Sequence, residues 1–336
     1  MEYRLFGRTG MKVSDLCLGA MMFGSKTNPE DSAAIIDRAL EAGINFIDTA
    51  NVYSGRGKSE EAVGDALARN GKRNDVVLAT KFHGQMGEGP NDMGSSRRHI
   101  IQQCEDSLRR LKTDWIDLYQ IHRPRSDTPI DETLRALDDL IRAGKVRYIG
   151  TSTFAAWQMV EAMYVAKELG TNRFVCEQPP YNLLDRRIER EMIPVAQTYG
   201  IALIPWSPIA GGLLTGKYVR GQEPPEGARF ADQSNPIYRR RMTDRIYDVI
   251  EPLQELAGRK GVALSQMALA WVTQRPGVTS SIIGPRTMEQ LEDNLGSWEV
   301  TFTEEELKEI DRIIRPGDYV APYYEADFGP SQFRRY

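Results

Sequence analysis

Along the chain, short runs of β-branched and apolar residues alternate with longer stretches in which apolar positions recur every three or four residues. The short runs are Leu16 to Met21, Asn45 to Ala50, Val76 to Lys81, Ile116 to His122, Tyr148 to Ser152, Phe174 to Gln178, Ala202 to Trp206 and Ser280 to Gly284. The period of the longer stretches is helical. Asn28 followed by Pro29 predicts a capped helix that carries Ile35, Ile36, Ala39 and Leu40 on one face and stops at Gly43. Ile100, Cys104, Leu108 and Leu111 mark a second buried face, and Thr128-Pro129 opens a third helix, with Leu134, Leu137 and Ile141 as its stripe and Gly144 as its end. Thr303 and Glu306 form a capping box ahead of Leu307, Ile310 and Ile314.

Eight strand-helix units with no low-complexity linker predict an α/β fold built on a parallel sheet, over 1–336 as a single domain. An open, doubly wound sheet announces itself with G-x-G-x-x-G after the first strand. Here the first strand runs into Leu18-Gly19-Ala20-Met21-Met22-Phe23-Gly24, so closure into a (β/α)8 TIM barrel is the expectation. Two segments exceed an ordinary connection. The stretch 211–241 is rich in Gly, Pro and charge, and the tail 316–336 is aromatic without periodicity, with Tyr323, Tyr324, Phe328 and Phe333. Both are expected to close over one end of the barrel.

Composition narrows the function. Hydrophobic residues at 41% and charged residues at 27% describe a globular protein, and a formal net charge of −4 offers no footprint for nucleic acid. The first residues show no basic run followed by an apolar one, and no later run reaches the roughly 18 apolar residues of a membrane span, so a cytoplasmic location is expected. Cys17, Cys104 and Cys176 lack metal or redox spacing and are expected as buried thiols; no metal set is present. A small-molecule partner remains, and oligomeric state is open.

In a barrel of this kind, chemistry sits at the C-terminal ends of the strands. The second predicted strand runs into Asp48 and then Tyr53, the third ends in Lys81 and the fourth in His122. Each residue alone has an ordinary structural role, but all four emerge at neighbouring strand ends. A tyrosine near pKa 10 is a poor acid at neutrality, and a neighbouring ammonium makes it a better one. Lys81 can supply that charge, Asp48 can hold Lys81 in place, and His122 can donate a second hydrogen bond to a developing alkoxide. The group polarises and protonates a carbonyl oxygen. It contains no nucleophile, so electrons must come from a cofactor.

From Tyr3 to about Arg315 the sequence resembles the aldo-keto reductase superfamily, and in particular its bacterial members and the potassium-channel β-subunits. The likeness rests on Tyr3-Arg4-Leu5-Phe6-Gly7-Arg8-Thr9-Gly10, similar to the family's N-terminal hairpin plug, and on Gly43-Ile44-Asn45-Phe46-Ile47-Asp48-Thr49-Ala50 with Tyr53. The resemblance implies a catalytic tetrad of Asp48, Tyr53, Lys81 and His122, and NADPH/NADP+ as cofactor. It places Ser152 and Gln178 on the nicotinamide carboxamide and Trp206 against the ring, with Ala20, Met21 and Asp48 also reaching the cofactor. Thr153 departs from the asparagine more usual after the serine. Ser207, Pro208, Gly212, Leu213 and Lys217 fall in a loop similar to the one that folds over the pyrophosphate. Gly284, Arg286, Gln290, Asp293 and Asn294 match the adenosine-phosphate site, with Arg286 on the 2′-phosphate. Ala20, Met21, Phe23, Phe82 and His83 are expected to line the mouth where the substrate enters. The implied activity is reduction of aldehydes or ketones; the alternative is an NADPH-binding regulatory or redox-sensing subunit with little turnover.

Overall fold

The computed structural model describes residues 1–125, 128–232 and 234–324. Phe328 and Phe333 lie outside those residues. The chain begins with an antiparallel hairpin, β1 (Tyr3–Leu5) and β2 (Lys12–Ser14), in register from Tyr3 opposite Ser14 to Leu5 opposite Lys12. Eight parallel strands follow: β3 (Leu16–Gly19), β4 (Phe46–Asp48), β5 (Val77–Phe82), β6 (Ile116–Ile121), β7 (Val146–Ser152), β8 (Cys176–Gln178), β9 (Ala202–Leu203) and β10 (Ser281–Ile283). From β3 to β9 each strand pairs with the next in order, and β10 pairs with β3. The ring closes on its other side. The N–H of Thr279 donates to Leu203 O at 2.8 Å and that of Ile282 to Pro205 O at 2.9 Å, so β9 and β10 meet. The fold is the expected (β/α)8 barrel.

All eight expected strands are present, with ends that differ by up to three residues. The largest difference is in β9, where Pro205 has no N–H to extend the ladder and pairing resumes only as an isolated bridge between Pro180 and Trp206. The helices around the sheet are α1 (Pro29–Glu41), the short α2 (Tyr53–Arg56), α3 (Lys58–Asn70), α4 (Arg97–Leu111), α5 (Ile130–Arg142), α6 (Ala156–Leu169), α7 (Met192–Tyr199), α8 (Pro236–Arg241), α9 (Tyr247–Lys260), α10 (Leu264–Thr273), α11 (Met288–Leu295) and α12 (Glu304–Ile313). Asn28 caps α1 by accepting the N–H of Asp31, and the Thr303–Glu306 box on α12 forms as expected. The start of α5 differs: Pro129 occupies the N-cap itself, and no side chain caps that end.

Strand alternation creates two cores. Side chains on one face pack outward against the helices, among them Leu18 of β3 and Ala20 just after it, Leu78 and Phe82 of β5, and Tyr119 and Ile121 of β6. Those on the other face fill the barrel: Cys17, Phe46, Ala79, Leu118, Cys176, Ala202, Ile204 and Ile282. Phe6, fully buried, plugs the bottom of this inner core, its ring edge-on to Phe46 at 5.7 Å between centroids. Gly7 makes that approach possible. Its φ is +58°, and a Cβ there would lie 2.6 Å from Gly200 O. The three thiols are buried as expected.

Among the described residues no helix is long and apolar enough to cross a membrane. The plug sets the first prediction. Phe6→Ala should lower unfolding free energy by about 3–5 kcal/mol, whereas Leu5→Ala, 57% exposed, should change it by less than about 0.5 kcal/mol, as read from denaturant midpoints.

Candidate active site

Above the inner apolar layer, the same inward face turns polar. On β5 the inward residue after Ala79 is Lys81; on β6 Leu118 is followed by Gln120 and then His122; on β4 Phe46 is followed by Asp48; on β8 Cys176 is followed by Gln178. Each step of two residues moves one layer up the barrel, so Lys81, Gln120, Asp48 and Gln178 all stand above the apolar layer, with His122 a step beyond Gln120.

Lys81 is fully buried. Its Nζ donates to Asp48 Oδ2 at 2.5 Å and to Thr49 O at 2.8 Å, and lies 3.4 Å from the Tyr53 hydroxyl. Burial alone pulls the ammonium down. The Asp48 charge and hydrogen bond, with Tyr53, outweigh it and hold Lys81 above its ordinary value, so it is cationic at neutral pH. Asp48 accepts two further bonds on Oδ1, from Gln178 Nε2 at 2.9 Å and Gln120 Nε2 at 3.1 Å. With both oxygens engaged, the carboxylate has one orientation.

Tyr53 enters from the loop after β4, at the head of α2, where Ser54 and Gly55 adopt positive φ. Its hydroxyl lies between Lys81 Nζ and His122 Nε2, each 3.4 Å away, and its ring meets His122 edge-on at 5.3 Å. Burial, then the charges of Arg123, Lys81 and His83, hold the His122 imidazole well below its ordinary value. It is therefore neutral at pH 7 and can serve as a hydrogen-bond donor or acceptor according to tautomer.

A cavity of about 530 Å³ runs from this cluster across the top of the barrel. Asp48, Tyr53, His122, Gln178, Trp206, Ser207 and Pro208 line one part, together with Met21; Gly212, Lys217, Gly284, Arg286, Gln290, Asp293 and Asn294 line the rest. Lys217, Arg229 and Arg286 converge at that far end. Burial and then the charges of Arg286 and Arg229 lower Lys217 from its ordinary value. None of the three makes an ion pair with a carboxylate among the described residues. Helix α11 begins beside them with Thr287 accepting the N–H of Gln290, and the N–H of Arg286 donates to Gln290 Oε1 at 2.9 Å. Mutually repelling cations at a helix N-terminus suit a polyanion.

Several expected positions are corrected. Phe82 points outward because it is one residue out of phase with Lys81, and it packs on Tyr119 at 4.8 Å between centroids. Ala20 is out of phase with Gly19 in the same way; its N–H donates to Asp48 O and its carbonyl accepts from Ser59 Oγ. Phe23 and Leu213 are fully buried in the outer core and do not line the cavity. His83 lies beyond β5 with φ +112°, also away from the cavity wall. Ser152 is buried behind the wall, where its Oγ donates to Gln178 O at 2.9 Å. Thr153 adopts φ +62°, a left-handed conformation that costs a β-branched residue more than the usual asparagine.

Other residues of the site went unforeseen. Gln120, whose Nε2 donates to Asp48 Oδ1, was findable, since it is the inward residue between Leu118 and His122. Arg123, Arg229, Asn235, Tyr238 and Arg241 line the cavity. All but Arg123 come from the long stretch 211–241, which forms turns at Ala210–Thr215 and Arg229–Ala231 before α8; no periodicity marks which of its residues face inward.

Comparison with known proteins agrees with this architecture. The model of the Aldo/keto reductase family matches residues 15–315. The chain is 41% identical over 325 residues to an uncharacterized oxidoreductase, YrpG, of Bacillus subtilis (strain 168), covering 94% of this chain and 97% of that protein. It is 38% identical to a probable voltage-gated potassium channel subunit beta of Oryza sativa subsp. japonica (94% and 97% covered) and 36% identical to a versiconal hemiacetal acetate reductase of Aspergillus parasiticus (95% and 100% covered). By fold and by likeness along nearly its whole length, the chain belongs to the aldo/keto reductase family and is an oxidoreductase of carbonyl compounds.

Proposed function

We propose that the chain reduces aldehydes and ketones to alcohols with NADPH, and that Tyr53 gives its proton to the carbonyl oxygen. The observation that carries this reading is the buried Lys81 ammonium, fixed by Asp48 and 3.4 Å from the Tyr53 hydroxyl. As the phenol releases its proton, negative charge builds on an oxygen that already faces a fixed cation, so little reorganisation is needed. Neutral His122, on the other side of that oxygen, hydrogen-bonds the carbonyl oxygen and holds it against Tyr53. Asp48 touches neither; with Gln120 and Gln178 it keeps Lys81 charged and aimed.

The cavity fits the coenzyme. Trp206 presents a face at the tetrad end, and its buried Nε1 has no hydrogen-bond partner among the described residues. Gly212, at φ +106°, leaves the backbone open beside Lys217, where a Cβ would stand 3.5 Å from the ammonium. Lys217 and Arg229 would hold the pyrophosphate, Arg286 the 2′-phosphate, and Gln178 the carboxamide. The bound coenzyme supplies a hydride from its nicotinamide C4.

The rice relative's name favours a second reading, a coenzyme-binding regulatory subunit with little turnover. Sustained NADPH oxidation with a simple aldehyde separates the two.

The site also carries a pH-sensitive support. Glu177, between the inward Cys176 and Gln178, points out of the barrel, where Oε2 accepts from Thr151 Oγ1 at 2.5 Å and Oε1 from the Phe154 N–H at 3.1 Å. Burial pushes its carboxyl from 4.5 up to about 8, and those hydrogen bonds offset this only in part. With the folded value above the unfolded one, the folded state keeps the proton longer. Its contribution to stability is complete below 4.5 and is lost as pH rises through about 8.

Three outcomes are expected. Tyr53→Phe should lower turnover by at least about 100-fold while NADPH affinity stays within about threefold of wild type, read by reduced-nicotinamide absorbance and fluorescence titration; equal loss of both would contradict the assigned role. Arg286→Ala should weaken NADPH binding by about 10-fold or more and spare NADH, since a charge-assisted bond to phosphate is worth about 1.5–3 kcal/mol. Glu177→Gln should flatten the decline in melting temperature between pH 4.5 and about 8; a parallel curve would show that Glu177 ionises as an ordinary carboxyl.

A further inference from the structure

Tyr53 is followed by four residues in the left-handed region: Ser54 at φ +55°, Gly55 at +87°, Arg56 at +67° and Gly57 at +118°. Ser54 and Arg56 carry side chains there, so the surroundings must impose the shape of this turn. The contacts on its outer side are exposed. Ser54 Oγ donates to Met21 O at 2.9 Å and lies 2.8 Å from Ser25 Oγ. The Arg56–Glu88 pair, at 3.3 Å, is open to water, where such a pair contributes little. Upstream of Tyr53 the chain is fixed from the buried side, since the Asn51 N–H donates to Lys81 O at 3.0 Å and its Nδ2 to Gln103 Oε1 at 2.9 Å. Downstream the corresponding hold is Arg110. A Cβ on Gly57 would lie 2.5 Å from Arg110 Cδ, so the arginine stem lies directly against the end of the turn, where the Gly57 N–H donates to Tyr53 O at 3.3 Å.

Arg110 is itself fixed by an acid that the chemistry does not use. Its Nε donates at 2.6 Å to Oε2 of Glu60, a side chain of α3 with no exposure, and Oε1 of the same carboxylate accepts from Thr80 Oγ1 at 2.5 Å. Thr80 is the residue of β5 next to Lys81, on the opposite face of the strand. Glu60 therefore reaches both members of the catalytic pair from outside the barrel: β5 at the residue before Lys81 and, through Arg110, the turn after Tyr53. Gly64 brings the parts within reach. One helical turn beyond Glu60, it lets α3 lie against the end of α4, where a Cβ would come 2.5 Å from Arg110 O. A buried ion pair adds little net stability, because desolvation of the two charges cancels most of their attraction. What this one supplies is geometry, a stem that cannot rotate beneath Gly57.

We infer that Glu60 and Arg110 are positioning residues for carbonyl reduction: their pair sets the 3.4 Å between the Tyr53 hydroxyl and Lys81 Nζ, although neither residue lines the cavity. This inference rests on the reductase reading.

Loss of one partner would strand a buried charge, so the decisive variant replaces both. Glu60→Leu/Arg110→Met leaves no charge behind, and its melting temperature should stay within about 3 °C of wild type. With NADPH, its kcat for 4-nitrobenzaldehyde should fall by about 10- to 100-fold, the effect of displacing a reacting group by about 1 Å. KM and NADPH affinity should stay within about threefold of wild type. Two readouts separate positioning from general damage. The solvent deuterium isotope effect on kcat should rise, because proton transfer from Tyr53 becomes slower relative to the other steps. In the Tyr53→Phe background the same paired replacement should change residual turnover by less than about twofold. Thr80→Val, which removes a single hydroxyl, should lower kcat in the same manner, whereas Thr80→Ser, which keeps it, should retain wild-type turnover; this pair of variants gives the same readouts if the paired replacement does not fold. A folded paired variant with kcat within about twofold of wild type, a loss of turnover as large in the Tyr53→Phe background as without it, or equal turnover in Thr80→Val and Thr80→Ser overturns the inference. A crystal structure of the paired or the Thr80→Val variant decides the matter independently of turnover: the Tyr53 hydroxyl should leave hydrogen-bond reach of Lys81 Nζ, and an unchanged separation overturns the inference. If the wild-type protein reduces no aldehyde, the reductase reading fails, and that separation still judges the positioning role.

Discussion

An ammonium sealed inside a barrel is the constraint around which this site is built. Lys81 has no exposure to water, and an isolated charge there would simply lose its proton. Asp48 prevents that, and Asp48 in turn needs donors for its second oxygen, which Gln120 and Gln178 provide from two further strands. Four strands are therefore tied to one another through a single carboxylate. The layer below them is wholly apolar, from Phe46 and Ala79 to Leu118 and Cys176, so the polar floor has a dry foundation that keeps the effective dielectric low.

The barrel was legible because its signal is repeated. Eight short apolar runs, each followed by a helical face and a turn, allow few arrangements, and the missing glycine fingerprint removes the main rival. The tetrad was legible for a related reason: Asp48, Lys81 and His122 each close a run whose inward residues can be counted. The same counting places Phe82 and Ala20 on the outer face, and the expectation that they line the mouth overlooked it. Phe23 and Leu213 stand in irregular segments, where no period assigns a side. Arg229 and Arg241 come from such a segment too. Their charge is visible in the sequence, but their direction depends on turns and on contacts with Tyr323, far along the chain.

That distant contact gives the upper rim its organisation. Tyr323 donates through its hydroxyl to Ala210 O at 2.6 Å and Tyr324 to Phe154 O at 2.5 Å, while Asp185 accepts both of their backbone N–H groups. One short piece of chain thereby joins the turn after β7, the loop after β9 and helix α8. The left-handed Thr153 lies within this bracing, held from below by the backbone bonds to Glu177, so a strained residue is kept by its surroundings rather than by its own preference.

The sulfur chemistry of the chain follows from the same dense packing. Burial raises all three thiols, Cys104 to about 12 and Cys17 and Cys176 well above the ordinary range, with neighbouring acids adding to the effect. Thiolate is the form that attacks peroxides and disulfides such as oxidised glutathione. With almost none present and all three thiols shut away from solvent, oxidants that silence many enzymes through cysteine find no such handle on this one while it stays folded.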